Sequence, residues 1–230
     1  MYKHIFIDLD DTLWDLHANS KASLHEVYAE LKLGEYFVSF EHFFKMYAKR
    51  NLELWTLYGK GEISKEFLMI ERFRHTLSKM GVDNTELAIL IGDRYLEIMP
   101  TKTILLPNAI ELLDYLKPKY SLTLISNGFV EVQYKKLRSA NLEHYFTHVV
   151  LSEAAKALKP DKRIFEYALQ LNGATPAETI MIGDSYAADI VGAQNAGIDQ
   201  IFLHPTLESN EKLKPCTYLV KGLEEVMGIV

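Results

Sequence analysis

The run Ile5-Phe6-Ile7-Asp8-Leu9-Asp10-Asp11-Thr12-Leu13 constrains this chain most, because an apolar triplet near the N terminus leads directly into three carboxylates. An uninterrupted apolar triplet fits a strand buried on both faces, and a mainly parallel sheet covered by helices on each side provides that burial. Open α/β sheets place their ligands at the carboxyl ends of strands, where Asp8, Asp10 and Asp11 fall. Carboxylates this close push one another toward protonation unless positive charge offsets them. The stretch therefore demands a cationic partner. A lone Asp after a strand is usually a turn residue or a helix N-cap; a cluster of three departs from that use.

After Leu13 the pattern changes to long helices over residues 18 to 99. Leu24, Val27, Tyr28 and Leu31 recur at helical spacing before Gly34, and further helices are expected over about 39 to 58, 63 to 79 and 83 to 100. From Pro107 the chain alternates: helix 108 to 116, strand 121 to 125, helix 130 to 139, strand 147 to 151, helix 161 to 171, strand 179 to 182, helix 188 to 196 and strand 199 to 203, with a short strand and helix in the tail. Such alternation implies βαβ units and a mainly parallel sheet, so the helical block reads as an insertion between the first strand and the rest.

Three further segments place polar groups beside these elements. Leu122 to Ile125 runs into Ser126-Asn127-Gly128, which offers a hydroxyl and backbone N–H groups to an anion, although the same tripeptide is also an ordinary turn. Lys159 precedes Pro160 and a helix with apolar Ile164, Phe165, Ala168 and Leu169. A cation there opposes the helix dipole, and a solvated lysine is the plain alternative. Ile180-Met181-Ile182 ends in Gly183-Asp184, and Asp189 follows near a helix start, where a lone acid is unremarkable.

In order, Asp8-x-Asp10-x-Thr12, Ser126-Asn127-Gly128, Lys159-Pro160 and Asp184 with Asp189 resemble the four motifs of phosphatases of the haloacid dehalogenase (HAD) superfamily. ISNGF (125 to 129), KLRSANLEHYF (136 to 146) and KPDKRIFEYAL (159 to 169) look most similar to the YjjG-type 5'-nucleotidases, which remove phosphate from nucleoside monophosphates. The resemblance implies a Rossmann-like α/β three-layer sandwich over residues 1–14 and 105–230, with a helical cap over 15–104. It implies Asp8 as the nucleophile that forms an aspartyl-phosphate and Asp10 as the general acid and base. Ser126 and Asn127 match the phosphate-binding positions, and Lys159 matches the cation that restrains the nucleophile and the transferring charge. Mg²⁺ is expected on Asp8, on the Asp10 backbone carbonyl and on Asp184, with Asp189 in support; an oxygen-only site suits Mg²⁺ better than Zn²⁺. Asp11 stands where many relatives carry Gly and receives no catalytic role, while Thr12 is expected to fix the turn.

The same fold includes 2-haloacid dehalogenases, which need neither the second Asp of the first motif nor a metal, so Asp10 and Asp184 favour phosphoryl chemistry. Phosphoglycolate phosphatase, β-phosphoglucomutase and a non-catalytic phosphate sensor are the other readings. In the cap, Trp14, Phe43, Phe44, Tyr47, Trp55, Tyr58 and Phe73 are expected mostly as bundle core, with one or two flanking a nucleobase as the alternative; Asn51 and Arg72 are expected as solvated helix-surface residues, with polar readers of the substrate as the alternative.

A net charge of −6 argues against a nucleic-acid-binding face and leaves room for a small phosphorylated metabolite as partner. The single cysteine, Cys216, allows no intramolecular disulfide and fits a reducing compartment. With a strand starting near Met1, no room for a signal peptide and no apolar run long enough for a bilayer, a cytoplasmic monomer or homodimer without membrane contact is expected.

Overall fold

Ile5, Phe6 and Ile7 are fully buried and belong to the strand about which the sheet is built, in a computed structural model that describes residues 1–206 and 215–230. That strand, β1 (His4–Ile7), pairs in parallel with β2 (Ser121–Ser126) on one side and with β4 (Thr179–Gly183) on the other. Adding β3 (His148–Leu151), β5 (Asp199–Leu203) and β6 (Tyr218–Val220) gives one six-stranded sheet in the order β3-β2-β1-β4-β5-β6. All its pairings are parallel. The chain builds outward from β1 through β2 to β3, then returns to lay β4 against the other edge of β1. This is the doubly wound arrangement, and its order reverses between β1 and β4, where a crevice opens at the carboxyl ends of the strands.

The helices are α1 (Leu16–Glu30), α2 (Phe40–Gly59), α3 (Lys65–Ser78), α4 (Thr85–Ile98), α5 (Ala109–Leu116), α6 (Val130–Ser139), α7 (Ser152–Ala155), α8 (Lys162–Asn172), α9 (Val191–Asn195) and α10 (Leu223–Val226). On one face of the sheet Phe6, Ile125 and Met181 pack with Ile164, Phe165 and Ala168 of α8 and Ala193 of α9. Ile5 and Ile7 project to the opposite face by the two-residue strand period and are equally buried, as are Leu112, Leu113 and Leu116 of α5. Both faces are therefore covered, which is why β1 reads as a continuous apolar run.

The chain divides into two compact units, Met1–Leu16 with Thr103–Val230, and His17–Lys102. In the helical unit, Ser39, Ser64 and Asn84 begin α2, α3 and α4, each side chain accepting a hydrogen bond from the backbone N–H three residues on. Gly34 lies in a short 3₁₀ turn, Leu33–Glu35, after α1. Phe43, Tyr47, Phe73 and Tyr95 form the bundle core, with the Tyr47 and Phe73 rings stacked 5.1 Å apart.

Three sequence expectations change here. Arg72 is not solvated: it is 3% exposed, and its guanidinium lies 5.0 Å from the Phe73 ring and 5.2 Å from the Tyr95 ring. It also donates to Asn51 Oδ1 at 3.4 Å. A flat, weakly hydrated guanidinium packs well on ring faces, which lets it be buried there. Trp14 is not bundle core either; it lies in the sheet unit and bridges to both Asp10 and Leu105. The helix expected over 188 to 196 begins as a π-turn, Tyr186–Ile190, because the N–H groups of Asp189 and Ile190 both reach Ser185 O, at 2.8 and 3.3 Å. Such turns concentrate at functional sites. Among the described residues no helix is long and apolar enough to cross a membrane.

Phe6 sits at the centre of the packed face. Phe6→Ala is expected to cost about 3–5 kcal/mol in urea unfolding with the m-value unchanged. Arg163→Ala, which removes only an exposed pair with Asp161, should leave the midpoint nearly where it was.

Candidate active site

The crevice beside β1 receives side chains from three strand ends. The Asp8 N–H donates to Ile182 O at 3.0 Å, so the β1–β4 pairing carries one residue past the strand and fixes the Asp8 backbone. Asp184 follows β4 directly, and Ser126 closes β2. Beyond Asp8 the chain turns sharply: the N–H groups of Leu13 and Trp14 both donate to Leu9 O at 2.9 Å. Asp11 occupies the left-handed region at φ 59°, and its Oδ1 accepts from Leu16 N at 2.8 Å, capping α1. Positive φ explains why a position that commonly holds Gly accepts Asp, whose short polar side chain tolerates it.

Lys159 is the cation the carboxylates require. Its Nζ donates to Asp8 Oδ1 at 2.5 Å, Asp189 Oδ1 at 2.6 Å and Ile125 O at 2.9 Å, using all three ammonium hydrogens. Asn127 holds the lysine's backbone from both sides, donating to Lys159 O at 2.9 Å and accepting from Lys159 N at 2.7 Å. The Lys159–Pro160 peptide is cis. Asn127 was expected at the phosphate through its backbone; its side chain is engaged at Lys159. Ser126 is placed differently: its Oγ accepts from Gly128 N at 3.1 Å and from Gln133 Nε2 at 2.6 Å, which leaves its own O–H to donate to a ligand.

Asp8, Asp184 and Asp189 converge, each with a carboxylate oxygen within 4.8 Å of the others. Asp189 is fully buried, and its second oxygen accepts from Ser185 N at 3.0 Å. It comes this close to β4 because residue 183 is glycine: a Cβ there would lie 2.4 Å from Asp189 Oδ2. Thr12 does more than shape a turn. Its hydroxyl donates to Asp184 Oδ1 and accepts from Asp184 N, both at 3.1 Å, tying the first acidic segment to the last.

Asp10 turns to α6, to two residues that the sequence did not single out. Gln133 Nε2 donates to Asp10 Oδ2 at 2.8 Å, and Lys136 Nζ donates to Asp10 Oδ1 at 2.5 Å. Their spacing of three puts both on one helix face, beside buried Val132 and Leu137. A polar pair on an apolar stripe was the available signal, hidden among the neighbouring Lys135 and Arg138.

The charges do not balance. Asp8, Asp10, Asp184 and Asp189 face the ammonium groups of Lys136 and Lys159, leaving two negative charges uncompensated. Burial drives the Asp8 carboxyl well above the usual carboxylate range; Lys159 pulls it down, and Asp189, Asp184 and Asp10 push it further up. Burial, then Asp189 and Asp11, lift Asp184 to about 7. Burial works against the Lys159 charge, yet Asp189 and Asp8 outweigh it and hold that ammonium above its ordinary range. Oxygen donors with an excess of two negative charges fit a hard divalent cation.

A carboxyl whose folded pKa is raised costs stability when ionised, and that cost vanishes as pH falls through the folded value toward the unfolded one. In EDTA, Asp184→Asn should therefore raise Tm at pH 8, with the gain shrinking between about pH 7 and the ordinary carboxyl value of 3.8. A thermal-melt series across that range measures it.

The model of the haloacid dehalogenase-like hydrolases matches residues 2–197. The pyrimidine 5'-nucleotidase PynA of Streptococcus pneumoniae is 32% identical over 98% of this chain and 94% of its own length. The pyrimidine 5'-nucleotidase YjjG of Escherichia coli is 30% identical over 96% and 95%. The crystal structure of the HAD-hydrolase YfnB of Bacillus subtilis, bound to magnesium, superimposes with a TM-score of 0.89 at 26% identity, covering 99% of this chain and 98% of that one. With its family model matched over most of its length and two relatives above or at 30% identity, the chain belongs to the haloacid dehalogenase-like hydrolases.

Proposed function

We propose that the protein is a Mg²⁺-dependent phosphomonoesterase that works through an aspartyl-phosphate and acts on nucleoside 5'-monophosphates. The observation that carries this reading is the Lys159 ammonium bridging Asp8 and Asp189 beside Asp184, a cation and three acids gathered at the mouth of β1. The substrate class draws its support from two relatives, PynA and YjjG, named as pyrimidine 5'-nucleotidases. In this reading the helical unit His17–Lys102 is a cap domain.

Asp8 attacks phosphorus and the bond to the leaving oxygen breaks, so one difficult hydrolysis becomes two easier steps. Ser126 donates its hydroxyl hydrogen to a phosphoryl oxygen, and Lys159 offsets charge developing on the transferring group. Asp10 gives a proton to the departing alkoxide and then takes one from the water that cleaves the aspartyl-phosphate. Asp8, Asp184 and the Asp10 main-chain carbonyl would hold Mg²⁺, with Asp189 behind them. When bound, the ion supplies positive charge that keeps Asp8 ionised and draws charge from the phosphoryl oxygens. Asp10 and Asp184 separate this reading from carbon–halogen displacement, which uses neither a general acid nor a metal.

Asp8→Asn should lower phosphate release at least ~10⁴-fold while leaving the circular dichroism spectrum unchanged. Excess EDTA should abolish release, and Mg²⁺ should restore it. Turnover in Asp8→Asn, or release indifferent to EDTA, refutes the reading. A phosphate-release screen over nucleotides, sugar phosphates and phosphoglycolate tests the substrate class, with pyrimidine monophosphates expected to lead.

A further inference from the structure

The mechanism above uses Asp10, yet none of its motif partners touches the Asp10 side chain in the contacts described. Its two oxygens are held from α6: Oδ1 by Lys136 Nζ at 2.5 Å and Oδ2 by Gln133 Nε2 at 2.8 Å. Both holders are buried, Lys136 at 2% exposure and Gln133 at 0%. Gln133 also donates to Ser126 Oγ at 2.6 Å, so one amide spans the proposed acid and the proposed phosphate-binding hydroxyl. That amide fits only because residue 128 is glycine, where a Cβ would come within 2.2 Å of Gln133 Nε2. The Lys136 ammonium lies 4.4 Å from the centre of the Trp14 ring, and Trp14 in turn bridges to the Asp10 backbone. The carboxylate is thus fixed at each oxygen, and its main chain is fixed behind it.

We propose that Lys136 and Gln133 are positioning residues for proton transfer, setting the orientation from which Asp10 protonates the leaving group. This rests on the phosphomonoesterase reading and extends it to two residues outside the four motifs. In the step concerned, Asp10 has taken a proton from solvent on the lone pair of Oδ2 that Gln133 does not engage; an Asp8 oxygen bonds to phosphorus, the bond from phosphorus to the leaving oxygen breaks, and that proton passes to the leaving oxygen, returning Asp10 to the carboxylate. General acid transfer contributes about 10²–10⁴-fold only when donor and acceptor are aligned. A carboxyl free to rotate would forfeit part of that, because alignment is paid in orientational entropy. A purely structural ion pair is the competing account: a buried ammonium needs a counter-charge whatever the chemistry.

The two accounts part on leaving groups. A nitrophenolate departs without a proton, whereas an alkoxide requires one. Lys136→Met keeps the length of the side chain and its packing on Trp14 while removing the charge. Steady-state kinetics with Mg²⁺ should show its kcat on an alkyl phosphomonoester such as a nucleoside 5'-monophosphate falling about 10- to 100-fold, with KM within about twofold. On 4-nitrophenyl phosphate the loss should be about threefold or less. In an Asp10→Asn background, Lys136→Met should add no further loss on the alkyl substrate, since residues acting through one group are not additive. Equal losses on both substrates, additive losses with Asp10→Asn, or unchanged alkyl turnover overturn the proposal while wild-type activity leaves the phosphatase reading standing. A wild type that releases phosphate from neither substrate overturns both. Lys136→Leu, which also removes the charge and leaves the Gln133 contacts to Asp10 and Ser126 in place, carries the same expectation and decides the matter if Lys136→Met does not fold.

Discussion

One ammonium between two buried carboxylates organises the functional end of this sheet. Lys159 reaches Asp8 from the loop before α8 and Asp189 from the turn after β4, and its third hydrogen goes to the carbonyl of Ile125 on β2. Three segments far apart in sequence are therefore held by a single side chain with no hydrogen left over. Such an arrangement adds little net stability, because removing ions from water offsets most of their attraction. What it fixes is position. Removing the lysine would leave buried carboxylates facing one another, so the loop that carries it is itself secured by the paired hydrogen bonds of Asn127.

The same economy recurs where backbone and side chain meet. Gly183 admits Asp189 and Gly128 admits Gln133, each a place where a single methyl group would collide with a buried polar atom. Thr12 links the turn after β1 to Asp184, and Asp11 caps α1 from a left-handed backbone. The residues around the acids are chosen for what they allow the acids to approach. Gathering four carboxylates pushes the Asp8 and Asp184 carboxyls above their ordinary range.

Much of this was legible from residue order. Alternating apolar runs and helical spacings locate the strands within a residue or so, since a doubly covered parallel sheet needs continuous apolar strands. The acidic residues at strand ends point to the crevice because that is where parallel α/β sheets leave space. The roles of Asn127, Gln133 and Lys136 were not legible. Asn127 follows Ser126 in a turn suited to an anion, and only the fold brings Lys159 beside it. Gln133 and Lys136 lie in a helix whose other lysine, Lys135, and arginine, Arg138, are exposed, and nothing local distinguishes the buried cation from its neighbours. Arg72 misled for a similar reason: a charged residue on a helix is usually exposed, and two aromatic rings at α3 and α4 reverse that preference.

By itself the sequence determined the alternation of strands and helices, the inserted helical block and the set of acids and cations at strand ends, because these follow from periodicity and composition over short windows. Tertiary structure alone decided which cation meets which carboxylate: Lys159 with Asp8 and Asp189, Lys136 with Asp10. Pairing between residues 30 to 151 positions apart depends on sheet order and on where each loop returns, and no local pattern encodes that distance.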